Sequence, residues 1–337
     1  MKKRIIIDAN IPYIRGAFDN IAEVEYLVAK DITHDKAIDA DTLIVRTRTR
    51  CNAELLEGTR VKIVATATIG IDHIDTTYCD AHNIKWTNAP GCNAESVAQW
   101  VGSALAVWAN KQGCSLIGKT IGIVGHGHVG KRVERLVRQL GMNVLLNDPP
   151  LASYNPNKYV DLHTIATECD IITFHTPLTK EGKFATYHLA DKNFFKNIKK
   201  DTFIINAARG GIINEKDLLT SKCECAIDCW EGEPDTKAEL LHKALIATPH
   251  IAGYSADGKY NASQQAIEVV AKALNIKPNA IKGLPEWKTS DAKGEELQNL
   301  LLKNYNILQD SEALKAEPEK FEWFRSNYPI RRELRIL

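Results

Sequence analysis

Thr120-Ile121-Gly122-Ile123-Val124-Gly125-His126-Gly127-His128-Val129-Gly130 is an apolar run that passes directly into a turn holding three glycines. An amphipathic helix is expected next, over 129–140, then a strand over 143–147 with Asp148 at its end, 23 residues beyond Gly125. Alone, the spacing G-x-G-x-x-G is a weak signal. Between a strand and a helix, with an acid closing the following strand, it is what a dinucleotide site requires. Gly125 permits the tight turn, Gly127 lets the backbone approach a pyrophosphate, and Gly130 lets helix and strand pack closely. The helix start then offers unclaimed N–H groups to the anion. Asp148 would accept from ribose hydroxyls and repel a 2′-phosphate, and no cation follows in Asn147-Asp148-Pro149-Pro150. NAD is therefore favoured over NADP. The rings of His126 and His128 are expected to be bystanders while the backbone binds.

The same alternation extends both ways from this turn. Ahead of it, strands are expected at 4–8, 42–46, 61–65 and 85–87. A helix over 52–58 would be capped by Asn52 and stopped by Gly58, and a long helix would cover 95–111. Beyond it, strands are expected at 170–175, 202–206, 224–228 and 245–247, with helices near 162–168 and 215–221. Continuous apolar strands alternating with helices indicate α/β architecture with parallel, doubly wound sheets. At 337 residues the chain exceeds one ordinary domain. After residue 283 it becomes polar and turn-rich (GLPEWKTSDAKGEE), reading as a linker. The remainder is too short for an independent domain and is expected to pack on its own chain or on a partner subunit.

Composition excludes several classes. Acidic and basic residues nearly cancel, leaving a formal charge of +1, so no nucleic-acid or membrane-surface partner is called for. The apolar start, Ile5 to Ile7, is far short of a secretory core and reads as a first buried strand. The eight cysteines are scattered, as expected of reduced thiols in a cytoplasmic protein. Cys223, Cys225 and Cys229 cluster, but no histidine follows at zinc spacing, and no metal is expected.

Three further residues suit one chemistry. Arg209 stands in NAARGG, Glu233 in DCWEGEP and His250 in TPHIAGY, each just past an expected strand. Oxidation of a 2-hydroxy acid needs a base for the hydroxyl proton, which histidine's near-neutral pKa provides. A carboxylate would fix that histidine's tautomer, and an arginine fork would grip the substrate carboxylate. Taken singly, Arg209 reads better as a surface salt-bridge residue, Glu233 as a turn residue and His250 as a satisfied strand-end histidine. Together beside a dinucleotide turn they form a candidate catalytic set.

The ordered set GHGHVG, NAARGG, EGEP and TPHIAGY resembles the D-isomer-specific 2-hydroxyacid dehydrogenases. That resemblance implies two Rossmann-like domains with an active-site cleft between them. It also implies a substrate domain of 1–92 rejoined by 256–283, an NAD domain of 93–255, and a short C-terminal dimerisation region of 284–337. It assigns Arg209 to the substrate carboxylate, His250 to acid/base work and Glu233 as its partner. VRTRTRCNAELLEG, TATIGIDHID, NAPGCNAESVAQWV, NDPP, HIAGYSADGK and FRSNYPIRRE look like one branch that acts on a phosphorylated hydroxy acid and forms homodimers. Matched residue by residue, Thr47, Thr68 and Tyr254 correspond to substrate contacts. Asp148, Thr176, Ala207, Ala208, Arg209, Asp228 and Gly253 correspond to cofactor contacts, with His128 and Val129 in the glycine turn. The phosphate needs cations, for which Arg46 and Arg48 are candidates, with Arg331 or Arg332 from a partner's tail. The C-terminal region looks shorter than that branch's usual form. Two rival readings stand beside this one: a 3-phosphoglycerate dehydrogenase, and a non-enzymatic NADH-sensing binding protein of corepressor type.

Overall fold

The computed structural model describes residues 2–286 and 288–336. The chain divides into two compact units, Met1–Asn93 with Ser255–Glu286, and Ala94–Tyr254 with Trp287–Leu337.

The first unit is built on five parallel strands: β1 (Arg4–Asp8), β2 (Glu23–Leu27), β3 (Thr42–Val45), β4 (Ile63–Thr66) and β5 (Lys85–Thr87). Their spatial order is β2-β1-β3-β4-β5, a doubly wound arrangement. The continuous apolar runs of β1, β3 and β4 are buried because helices cover both faces. Ala266, Ile267 and Val270 of helix Ala256–Leu274 pack into the core with Ile5, Ile7 and Ile44. Asn52 caps its short helix as expected, accepting from the Leu55 amide. β2 escapes a sequence reading because it lies at the sheet edge, where Glu23 and Glu25 interrupt the apolar pattern.

The second unit holds β6 (Thr120–Val124), β7 (Asn143–Asn147), β8 (Ile171–Phe174), β9 (Phe203–Asn206), β10 (Glu224–Ile227) and β11 (Ile246–Ala247). They form one parallel sheet in the order β11-β10-β9-β8-β6-β7. The chain starts at β6, runs outward to β7, then returns to β8 on the other side. This places the topological switch point at the carboxyl end of β6, beside the glycine turn. Helix Ala94–Gln112 is buried along most of its length. A Cβ on Gly102 would stand 2.8 Å from Leu136 and 3.0 Å from Leu301, so the missing side chain lets two helices approach.

The expected linker carries no helix or strand up to Glu286, where the first unit ends, but holds regular structure from residue 288. Strand β12 (Lys288–Ser290) pairs in parallel with β13 (Leu334–Ile336), and helix Gly294–Asn304 begins inside the polar stretch. One residue of that expected linker, Trp287, lies outside the described residues. The polar composition hid apolar positions at helical spacing: Leu297 and Leu301 are buried, as are Ile307, Leu314 and Phe321 beyond. These residues join the second unit's own core. No helix among the described residues is long and apolar enough to cross a membrane.

Candidate active site

The nucleotide turn has the geometry its glycines predict. Gly125 sits at φ 93°, and a Cβ there would lie 2.7 Å from the His175 backbone. A Cβ on Gly130 would lie 2.1 Å from the Gly125 carbonyl oxygen, so only glycine fits. Around Gly127 a Cβ would meet nothing within 4 Å, which leaves open space where a ligand can approach. Gly127 is the N-cap of helix His128–Gln139 and supplies no side-chain cap. The helix start therefore keeps amides available for an anion. Val129 and the exposed His128 open its first turn.

Asp148 ends β7, where its carboxylate accepts from the His126 amide (2.8 Å) and the Leu151 amide (3.1 Å). The acid thus ties the glycine turn to the next helix. His126 is no bystander. Its buried ring is held by Glu134 (2.7 Å) and the Tyr159 hydroxyl (3.1 Å), which pins the turn from beneath. His128 keeps the exposed position.

At the end of β8, the Thr176 hydroxyl and His175 Nδ1 are buried without a hydrogen-bond partner among the described residues. Burial pushes the His175 imidazole down to about 3, so it stays neutral. Orphaned polar atoms beside an open glycine turn fit a polar ligand such as a dinucleotide. After β9, Ala207 and Ala208 turn the chain towards Arg209, whose guanidinium donates to the Ala208 carbonyl at 2.7 Å. Asn206 holds that turn, accepting from the Ala208 amide and donating to the Arg209 carbonyl. Gly210 allows the turn to press on the Trp230 carbonyl, 1.9 Å from where a Cβ would be.

Glu233 and His250 form a direct pair, Oε1 to Nδ1, at 2.6 Å. The other Glu233 oxygen accepts from the Trp230 amide. Burial disfavours the imidazolium, but neighbouring Cys229 and Glu233 favour it, and His250 is raised well above the ordinary imidazole value. The Cys229 thiol is itself pushed up by burial, so the anion that His250 meets is the carboxylate. Burial raises Glu233, yet the bond and charge of His250, with the Arg325 charge, bring it below the usual carboxylate range.

Asp228 is fully buried, and its carboxylate is engaged within the chain. It accepts from the Thr248 hydroxyl (2.6 Å) and the amides of Ile251 (2.8 Å) and Ala252 (3.0 Å), fixing the segment that leads to Gly253 and Tyr254. Burial raises its pKa. Sequence reasoning missed the Asp228–Thr248 network, because nothing in residue type separates a buried acid from a ligand-facing one.

Arg46 and Thr47 follow β3 in the first unit, and Thr68 follows β4, the neighbouring strand. Arg46 donates to the Asn10 carbonyl (3.1 Å). The Thr68 hydroxyl donates to the Gly70 carbonyl (3.1 Å). Lys259, a cation the sequence reading passed over, is pushed down by burial and by the Arg46 charge. Arg331 requires correction. It does not reach out as a tail residue: it is buried against carbonyls of its own chain.

Comparison with known proteins agrees with this geometry. Residues 94–252 match the family model described as D-isomer specific 2-hydroxyacid dehydrogenase, NAD binding domain. An erythronate-4-phosphate dehydrogenase of Bacteroides thetaiotaomicron is 47% identical, aligned over 98% of this chain and 97% of its own. One from Bacteroides fragilis is 48% identical over the same shares. The solved structure of an NAD+-bound 3-phosphoglycerate dehydrogenase from Entamoeba histolytica superposes with a TM-score of 0.69. It covers 84% of this chain and 100% of that one, at 25% identity. A glycine turn shaped for a dinucleotide, a carboxylate–histidine pair on the same sheet edge and relatives matched almost end to end lead to one assignment: the chain belongs to the D-isomer specific 2-hydroxyacid dehydrogenases, NAD-dependent enzymes, and groups there with the erythronate-4-phosphate dehydrogenases.

Proposed function

We propose that the chain oxidises 4-phospho-D-erythronate at C2 to (R)-3-hydroxy-2-oxo-4-phosphooxybutanoate, a step towards pyridoxal 5′-phosphate. The observation that carries the chemistry is the 2.6 Å Glu233–His250 pair. The substrate rests on the full-length likeness to erythronate-4-phosphate dehydrogenases at 47–48% identity, against 25% for the phosphoglycerate enzyme. Bound NAD supplies the hydride acceptor. The glycine turn, Asp148 and the edge residues Thr176, Ala207, Ala208 and Gly253 would hold it.

Ionised Glu233 can only accept, so Nδ1 of His250 carries the proton and Nε2 is left to take the C2 hydroxyl proton. As that proton arrives, the adjacent carboxylate stabilises the imidazolium. Arg209 grips the substrate carboxylate and orients C2. Thr47, Thr68 and Tyr254 contact the remaining polar groups, and Arg46 with Arg48 meets the phosphate. We assign the first unit to substrate binding and the C-terminal segment to a homodimer contact, symmetric dimers being the commonest assembly. The protein is assigned to the cytoplasm.

The test is NADH formation on adding NAD with 4-phosphoerythronate or with 3-phosphoglycerate, a 2-oxo acid being supplied to reoxidise tightly held cofactor. Turnover with phosphoerythronate that His250→Ala abolishes supports the reading. Turnover with phosphoglycerate alone would replace the substrate. Silence with both, despite NADH binding, would leave the corepressor-type reading.

A further inference from the structure

The segment Ile251–Tyr254, which follows His250, is held from both sides by buried, oppositely charged groups. On the donor side, Asp228 takes the amides of Ile251 and Ala252. On the acceptor side stands Arg331, 80 residues further along the chain and only 7% exposed. Its Nη2 donates to the carbonyls of Ala252 (2.7 Å) and Ile251 (3.3 Å), and its Nε to the Tyr254 carbonyl (3.2 Å). The Ser96 hydroxyl accepts from Nη2 (2.6 Å) and donates to the same Ala252 carbonyl (2.7 Å). The guanidinium carbon lies 4.3 Å from the Tyr305 ring centroid, a cation–π contact that supports the charge from another direction.

Burying a guanidinium among carbonyls is costly, and an apolar side chain would fill the same space without that cost. The backbone nearby explains what the charge does. His250 sits at φ 53°, in the left-handed region that a residue with a side chain enters only under constraint. Such a conformation persists where its surroundings over-determine it. Asp228 and Arg331 fix the residues immediately downstream, and the Asp228 and Thr248 carbonyls accept from the His250 amide (2.9 and 3.0 Å).

We propose that Arg331 is a positioning residue, which clamps Ile251–Tyr254 so that His250 is held on Glu233 in its strained, reactive conformation. The inference rests on the acid/base reading of His250. It gives the C-terminal segment a role inside the catalytic unit of its own chain. Tyr328 of the same segment lies edge-on to Tyr254, with ring centroids 6.1 Å apart. Arg325 contributes charge at Glu233.

The experiment compares full-length Arg331→Met and Arg331→Lys with the unaltered protein by three readouts. These are thermal melting, the pH dependence of hydroxy-acid oxidation, and the NMR titration of the His250 imidazole, assigned by its loss in His250→Ala. Release of the clamp is expected to lower kcat by about 10²-fold in Arg331→Met, the penalty of small misplacements in a catalytic site. It should also move the His250 titration down towards the ordinary imidazole range. Arg331→Lys keeps the charge but not the fork, so it should lie between. If Arg331→Met does not fold, the lysine variant and Ser96→Ala carry the same test, each with a smaller shift in the same direction. A lower melting temperature with unchanged kcat and unchanged His250 titration would overturn the proposal, leaving Arg331 a packing residue. Retained turnover in His250→Ala would instead overturn the acid/base reading, and the titration would still report on the clamp.

Discussion

His250 Nδ1 lies 2.6 Å from Glu233 Oε1, and the carboxylate's other oxygen is held by the Trp230 amide. The pair is thus oriented before any substrate arrives, and its electrostatics set a pH dependence. Burial works against the imidazolium, yet Cys229 and Glu233 beside it raise His250 well above the usual imidazole value. Oxidation needs the neutral ring, and its kcat/KM should climb as pH rises through the His250 pKa. Carbonyl reduction needs the imidazolium and should be flat below that pKa, then fall. Glu233→Gln removes the anion, so the oxidation limb should move to lower pH. The same change stops stabilising the forming imidazolium, and kcat should fall by about 10²-fold. Paired pH–rate profiles of the two proteins check both signs. An alkaline limb that stays in place would show that another group sets it.

Two glycines of one turn should respond oppositely to alanine. At Gly130 the added carbon would meet the Gly125 carbonyl at 2.1 Å, which backbone cannot relieve. Gly130→Ala is expected to cost about 3 kcal/mol or more of stability, as overpacking against fixed atoms does. At Gly127 the carbon enters open space, so Gly127→Ala should melt within a degree or two of the parent, since surface changes stay near 0.5 kcal/mol. Its deficit should appear as weaker NADH binding, because the methyl occupies the approach to the pyrophosphate. Calorimetry and NADH fluorescence titration separate the two effects. Equal melting losses would mean that the space at Gly127 is not open.

The central strands and the glycine turn were legible because each states its physics locally. β6 and β7 have the bounds their apolar runs define, and Asp148 ends β7 where expected. The Glu233–His250 pair follows from residue type and position after strands, since open α/β sheets gather ligand groups at that edge, while Arg209 follows β9 in the same sheet. What stayed hidden depends on partners far along the chain. Arg331 looked like a tail cation for a partner's phosphate until Ser96, Ile251 and Ala252 were brought to it. His126 looked idle until helix His128–Gln139 placed Glu134 eight residues on, against its ring. Residue type announces neither case, because burial of a charge or a ring is decided by tertiary packing.

Asp148 has two duties that a substitution should separate. Its carboxylate caps the Leu151 amide and holds the His126 amide, so Asp148→Ala should lose about 1 kcal/mol of stability, as removal of a helix cap does. Asp148→Asn keeps one accepting oxygen for the Leu151 cap but turns an NH2 towards the His126 amide, so it should recover only part of that loss. Both variants lose the charge that repels a 2′-phosphate, so NADPH should bind relatively better in each. The ratio of NADH to NADPH dissociation constants is the measurement. A ratio unchanged in both variants would show that cofactor choice lies elsewhere.

Arg46 should act on binding more than on chemistry. It follows β3 with its guanidinium donating to the Asn10 carbonyl, and its charge depresses Lys259 nearby. Two cations of one unit that repel each other stabilise that unit less than an anion set between them would. A substrate phosphate would relieve the repulsion, so Arg46→Ala should raise KM for 4-phosphoerythronate by about 10-fold or more. That is the loss expected for a charge-assisted hydrogen bond of about 1.5–3 kcal/mol. kcat should change little, because the phosphate is bound alike in ground and transition states. The dephosphorylated erythronate is the control, and its poorer kcat/KM should be nearly the same in parent and variant. An unchanged KM for the phosphorylated substrate would remove Arg46 from the phosphate site. An equal loss with both substrates would place Arg46 at the carboxylate or hydroxyl end instead.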